Sequence, residues 1–137
     1  MDMSGICYLC SQPCDPSKYR EHIPPKGCFP QGSQDLITVC CCQSCNNSNS
    51  RSDEVFRMFT SLSPAQSDSA RAVWECVKTR TVARGRLKKE VTEMAATLKE
   101  RIIDGVQFGQ VQVKIRPLKL QLIRITKGFI RHFLPGC

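Results

Sequence analysis

Two Cys-x-x-Cys pairs, Cys7/Cys10 and Cys42/Cys45, separated by residues 11–41, constrain this chain more than any other feature in it. Each pair can wrap half a tetrahedron around one soft cation, so four thiolates at this spacing point to a structural zinc ion. A chain of 137 residues buries only a modest core, and a metal staple relieves that shortage in its turn-rich first half. In the run Cys40-Cys41-Cys42, Cys42 is the preferred ligand because it completes the x-x spacing to Cys45, with Cys41 as the fallback. Cys14, Cys28, Cys76 and Cys137 read as ordinary thiols, Cys76 as a small buried side chain. A redox role for the pairs would call for a βαβ pattern, which the sequence lacks. The opening Met1-Asp2-Met3-Ser4-Gly5 has neither the charged nor the apolar region of a secretory signal, so free thiols in a reducing, cytoplasmic setting are expected.

Charge divides the chain unevenly. Residues 1–60 carry five Lys/Arg against six Asp/Glu, whereas residues 61–137 carry fifteen against six. An excess of that sign suits a polyanion, because each cation that neutralises a phosphate releases condensed counterions. No run of about 18 apolar residues occurs, so no membrane span is expected. The expected organisation is a zinc-stabilised module over 1–60 and a basic helical extension over 61–137 packed on it.

Breakers at Gln12-Pro13, Asp15-Pro16, Pro24-Pro25-Lys26-Gly27 and Pro30-Gln31-Gly32 leave room only for short elements in the first half. Leu36-Ile37-Thr38-Val39 is β-prone, with Ile6 to Leu9 as a turn or strand at the first cysteine pair, and Asp53 to Phe59 reads as a short helix that Asp53 and Glu54 open with dipole-matching acids. Ser63 with Pro64 and Gln66 forms a capping pattern that predicts a helix over about 64–84. Leu87, Val91, Met94, Ala95, Leu98 and Ile102 fall on one helical stripe, ended by Gly105 and Gly109. Val111, Val113 and Ile115 alternate with polar residues, predicting a short strand or extended arm. A last helix over about 118–134 is expected to turn Leu122, Ile125, Thr126, Phe129, Ile130 and Phe133 inward and to stop at Pro135-Gly136.

Between the cysteine pairs lies Arg20-Glu21-His22-Ile23-Pro24-Pro25-Lys26-Gly27, followed by Asp35-Leu36-Ile37-Thr38-Val39, Cys45-Asn46-Asn47 and Asp53-Glu54-Val55-Phe56-Arg57. In that order, over roughly residues 5–60, these segments resemble the HNH family of ββα-metal nucleases, in its Asn-bearing variant. The resemblance implies an α+β fold, a treble-clef-like ββα-metal module, and assigns roles: Glu21 as a metal ligand, His22 as general base, Asn46 as second ligand with Asn47 or Asn49 as substitutes, and Asp35 as the group that orients the imidazole. It implies magnesium or manganese as the catalytic cation. Neutral imidazole, with an ordinary pKa of about 6.5, accepts a proton from water near neutral pH, which is what phosphodiester hydrolysis requires.

Arg80, Arg84, Arg86, Lys88 and Lys89 form the densest positive cluster and, with Lys26, are the expected contacts to nucleic acid, DNA first and RNA as the alternative. Isolated charge clusters and single His residues are more often solvated surface than sites, and His132 is read that way. The second expectation, from a different class, is a zinc-dependent nucleic-acid-binding module without cleavage; a protein-interaction adaptor is the third. Oligomeric state is open, a homodimer being one option.

Overall fold

The computed structural model describes residues 5–62 and 67–135. It is a mixed α+β chain with two small antiparallel sheets and five α-helices among the described residues. Strand β1 (Arg20–His22) pairs with β2 (Thr38–Cys40), Glu21 facing Val39 and His22 facing Thr38. The Ile23 N–H donates to the Ile37 carbonyl and lengthens this ladder by one bond, so the β-prone run is used from Ile37 onward. The short breaks around it are turns: Lys26–Cys28 is a single 3₁₀ turn, and Asp35 sits in the left-handed region at φ 56°.

The first cysteine pair lies in a knuckle where Ile6 bridges Pro13, and the Tyr8 N–H donates to the Cys40 carbonyl, which ties the knuckle to β2. Helices α1 (Gln43–Asn47) and α2 (Ser50–Ser61) follow β2 directly, giving a β-β-α order in the first half. The expectation of a free thiol at Cys14 is corrected by the structure, which joins it to Cys40 in a disulfide.

Helix α3 (Asp68–Cys76) opens where the Ser67 hydroxyl accepts the Ala70 N–H at 3.2 Å. The expected cap at Ser63 and its Gln66 partner lie outside the described residues. A π-helical turn, Val77–Val82, continues α3, and α4 (Lys88–Ala95) follows after Gly85. The expected continuation of α4 to Ile102 does not form. Residues Lys99–Ile103 (β3) and Val106–Gln110 (β4) instead make a hairpin around Asp104 and Gly105, both at positive φ, 51° and 77°. An Asp-Gly turn of that hand matches the twist of paired strands, and this local chemistry outweighs the apolar stripe that Leu98 and Ile102 would extend.

Residues 111–114 are irregular, and helix α5 (Ile115–Phe133) takes in Ile115, with Pro117 tolerated in its first turn. Its buried residues are Gln121, Arg124, Ile125 and Gly128, while Leu122, Thr126, Ile130 and Phe133 are exposed. Of the residues expected inward, Ile125 and Phe129 do join the core, but the buried face is rotated from the expected one toward Gln121, Arg124 and Gly128. At Gly128 a Cβ would stand 2.6 Å from Ile23 Cγ1, so only glycine lets the helix come this close to the end of β1.

Two cores hold the chain. One gathers Val55, Met58, Val73, Val77 and Leu87. The other gathers Ile23, Val39 and Ile125, with Tyr8, Phe56 and Phe129 against them. Both draw on residues from either side of position 60, so the two expected parts share their packing. Among the described residues no helix is long and apolar enough to cross a membrane.

Candidate functional site

The four sulfurs of Cys7, Cys10, Cys42 and Cys45 lie within 4.8 Å of one another, the gathering that the two x-x spacings demand. The Cys10 and Cys42 sulfurs stand 3.7 Å apart. Burial opposes ionisation of Cys7, but backbone N–H groups of Cys42, Cys10 and Leu9 aimed at its sulfur outweigh it and bring the thiol down to about 6. Burial and the neighbouring sulfurs push Cys45 up to about 12, a penalty that a cation between them removes. Donor set and geometry fit a soft metal ion such as zinc. Cys41, the fallback ligand, is not one of the four gathered sulfurs; it is buried between the Glu21 carboxylate and Cys7, and burial first, then Glu21 and Cys7, push its thiol up.

Alternation along β1 sends Glu21 inward and leaves His22 half-exposed. Glu21 is 6% exposed, and both of its oxygens are engaged. Tyr8 Oη donates to Oε2 at 2.8 Å, and the Arg124 guanidinium donates to Oε1. The same guanidinium donates to Asp53 Oδ1 at 3.0 Å and to Gln121 Oε1 at 2.8 Å. Two carboxylates and a carboxamide thus converge on one internal cation, with residues from β1, α2 and α5. Burial opposes the charge on Arg124, but Glu21, Tyr8 and Asp53 hold the guanidinium protonated beyond its usual range. Burial also raises the Asp53 carboxyl, Arg124 counteracting in part.

His22 looks the other way. Desolvation first, then the charges of Lys26 and Arg20, lower its pKa below the ordinary imidazole value. Asp35 is exposed, and among the described residues it makes no hydrogen bond to His22, so the orienting role expected of it is not realised. Asn46 and Asn47 are exposed on α1, with no side-chain hydrogen bond to Glu21 or His22 among the described residues. Asn49 donates from Nδ2 to the Cys45 carbonyl, a local helix-start contact. A hard cation held between Glu21 and Asn46 does not fit side chains arranged in this way.

The expected basic cluster is only partly free. Arg86 pairs with Glu54 at 2.7 Å and Lys89 with Glu93 at 4.0 Å, while Arg80, Arg84 and Lys88 are exposed without a carboxylate partner among the described residues. Lys26 is exposed near His22.

Sequence reasoning misses Tyr8, Gln121 and Arg124. The signal is present: Gln121, Arg124 and Gly128 recur at spacings of three and four, one line on the face that packs inward, while Lys119, Lys127 and Arg131 lie off that line. Asp53, expected first as a helix-start acid and less so as a neighbour of the catalytic cation, contacts Arg124. No protein-family model, no curated protein and no solved structure matches the chain.

Proposed function

We propose that this chain is an endonuclease of the HNH type that hydrolyses phosphodiester bonds in DNA, with His22 as general base. The observation that carries the reading is the state of His22: half-exposed at the end of β1, its imidazole biased toward the neutral form by desolvation and by Lys26 and Arg20. A neutral imidazole open to solvent can take a proton from an attacking water, and two flanking cations suit the phosphate that the water would attack. The order of motifs around it, with a ββα succession and a four-thiolate staple, supports the same reading.

Zinc held by Cys7, Cys10, Cys42 and Cys45 would fix the knuckle against β2 and so fix the position of His22. The magnesium or manganese implied by the resemblance does not fit at Glu21 among the described residues, because its carboxylate is committed to Arg124 and Tyr8. Proton transfer at His22 is therefore derived without it, and cation dependence is read from the experiment.

The second reading is a zinc-dependent nucleic-acid-binding module that does not cut, favoured by the engagement of Glu21 in a buried charge network. One experiment separates them: zinc-loaded protein is incubated with supercoiled plasmid, with and without magnesium, beside His22→Ala. The nuclease reading expects relaxed or linear product and a loss of about 10²–10⁴-fold in the variant. Its acid limb should lie below the ordinary imidazole value of about 6.5, activity falling only as pH drops through that lowered pKa. Cleavage that persists in His22→Ala, or plasmid that is bound but never cut, would overturn it.

A further inference from the structure

A groove of about 630 Å³ lies between the Lys26–Cys28 turn with its following loop on one side and α3 with its π-helical turn on the other. Its lining is of two kinds. Phe29, Leu36 and Val73 are apolar, while Lys26, Arg57 and Arg80 bring three cations against the single carboxylate of Glu75. That carboxylate is already paired, with Lys78 at 2.6 Å. None of the three cations has a carboxylate partner among the described residues, whereas Arg51, Arg71, Arg86 and Arg124 all do.

Arg57 is the built part of this groove. Its Nη2 donates to Thr81 Oγ1 at 2.8 Å, which fixes the guanidinium, yet its Nε is buried with no hydrogen-bond partner. The Pro-Lys-Gly turn is laid directly on it: a Cβ at Gly27 would stand 2.9 Å from Arg57 Cδ and 3.0 Å from Nη1. A π-helical turn as the opposite wall fits the same picture, since such turns recur at binding sites. Lys26, one of the lining residues, stands four positions after His22 and also acts electrostatically on its imidazole.

We propose that this groove seats one nucleotide of the strand that His22 serves, its phosphate held by Lys26, Arg57 and Arg80 and its base and sugar laid on Phe29 and Leu36. The inference rests on the nuclease reading for the identity of the strand. Guanidinium and ammonium groups supply donors for phosphate oxygens, and an apolar floor accepts any base by contact, which gives affinity without sequence preference. A seat beyond the scissile bond fixes the strand's register against the general base.

The test uses the full, zinc-loaded chain and a fluorescein-labelled ten-residue thymidine oligonucleotide, with affinity read by anisotropy across salt. Lys26→Gln/Arg80→Gln should weaken binding and flatten the dependence of log affinity on log salt by up to about 0.7, the contribution of the one single-strand phosphate that loses two of its three cations. Ala72→Trp, an exposed position on the groove wall, should block binding with every charge intact. Lys99→Gln/Lys119→Gln removes equal charge from exposed sites outside the groove and should weaken binding little. Equal effects of the two charge-pair variants, or full affinity in Ala72→Trp, would overturn the groove. Failure here is distinguishable from failure of the nuclease reading: groove-dependent binding without cleavage removes only the latter, and His22-dependent cleavage indifferent to Ala72→Trp removes only the former.

Discussion

The β1–β2 pair and the β3–β4 pair invert the usual relation between length and support. The first has three facing residue pairs and the second five. Yet the short ladder carries buried Glu21, Val39 and Cys40, a knuckle docked on β2 and a helix packed across it, whereas every residue of the long one is exposed. An isolated two-stranded hairpin is marginal in water. Stability in this chain therefore comes from what the strands are fastened to and hardly at all from the strands themselves.

The strongest way to break the comparison is to withhold the metal ion that the four thiols can hold. Structural zinc contributes about 10–16 kcal/mol in small domains. Chelation, or Cys7→Ser, should abolish amide-exchange protection in β1, β2 and the knuckle while leaving exchange in β3–β4 as it was. Retained protection of β1–β2 in metal-free protein would show that the four thiols are not a staple. Next in size is Arg124→Met. The Arg124 and Glu21 side chains are 9% and 6% exposed, and stripping one partner from a buried pair costs about 3–5 kcal/mol. Chemical denaturation should register that destabilisation, and Glu21→Gln/Arg124→Met should recover part of it because the more deeply buried of the two carboxylates is then neutral and only the more exposed Asp53 keeps its charge. The smallest effect belongs to the long hairpin. Gly105→Ala puts a side chain at φ 77° and should cost about 1 kcal/mol locally. Amide exchange over residues 99–110 should accelerate with no change in the global unfolding midpoint, and a shift of that midpoint would mean the hairpin is coupled to the rest.

The parts of this architecture that can be read in the sequence are those encoded over short distances. The x-x spacing of the cysteines selects Cys42 over Cys41 as the fourth ligand, and the sulfurs do gather around it. A helix after Cys45 and a strand at Val39 follow from equally local patterns. Where two local signals compete, the reading goes astray: the apolar stripe through Leu98 and Ile102 suggests helix, although Asp104-Gly105 is the stronger instruction. The buried charge cluster is illegible for another reason. Glu21 and Arg124 stand 103 residues apart, and on a helix with several basic residues an arginine is assumed to face water until its partner is known. Likewise nothing in Asp35 or Asn46 alone reveals that they end exposed, away from the inward-facing carboxylate.

That span of 103 residues has a consequence for the order in which the protein is made. A nascent chain that has emerged as far as its second cysteine pair already contains every thiol of the staple, but the counter-charge for its sequestered acid is still untranslated. Folding of the amino-terminal half can begin on the ribosome and cannot finish there until the carboxy-terminal helix has been synthesised.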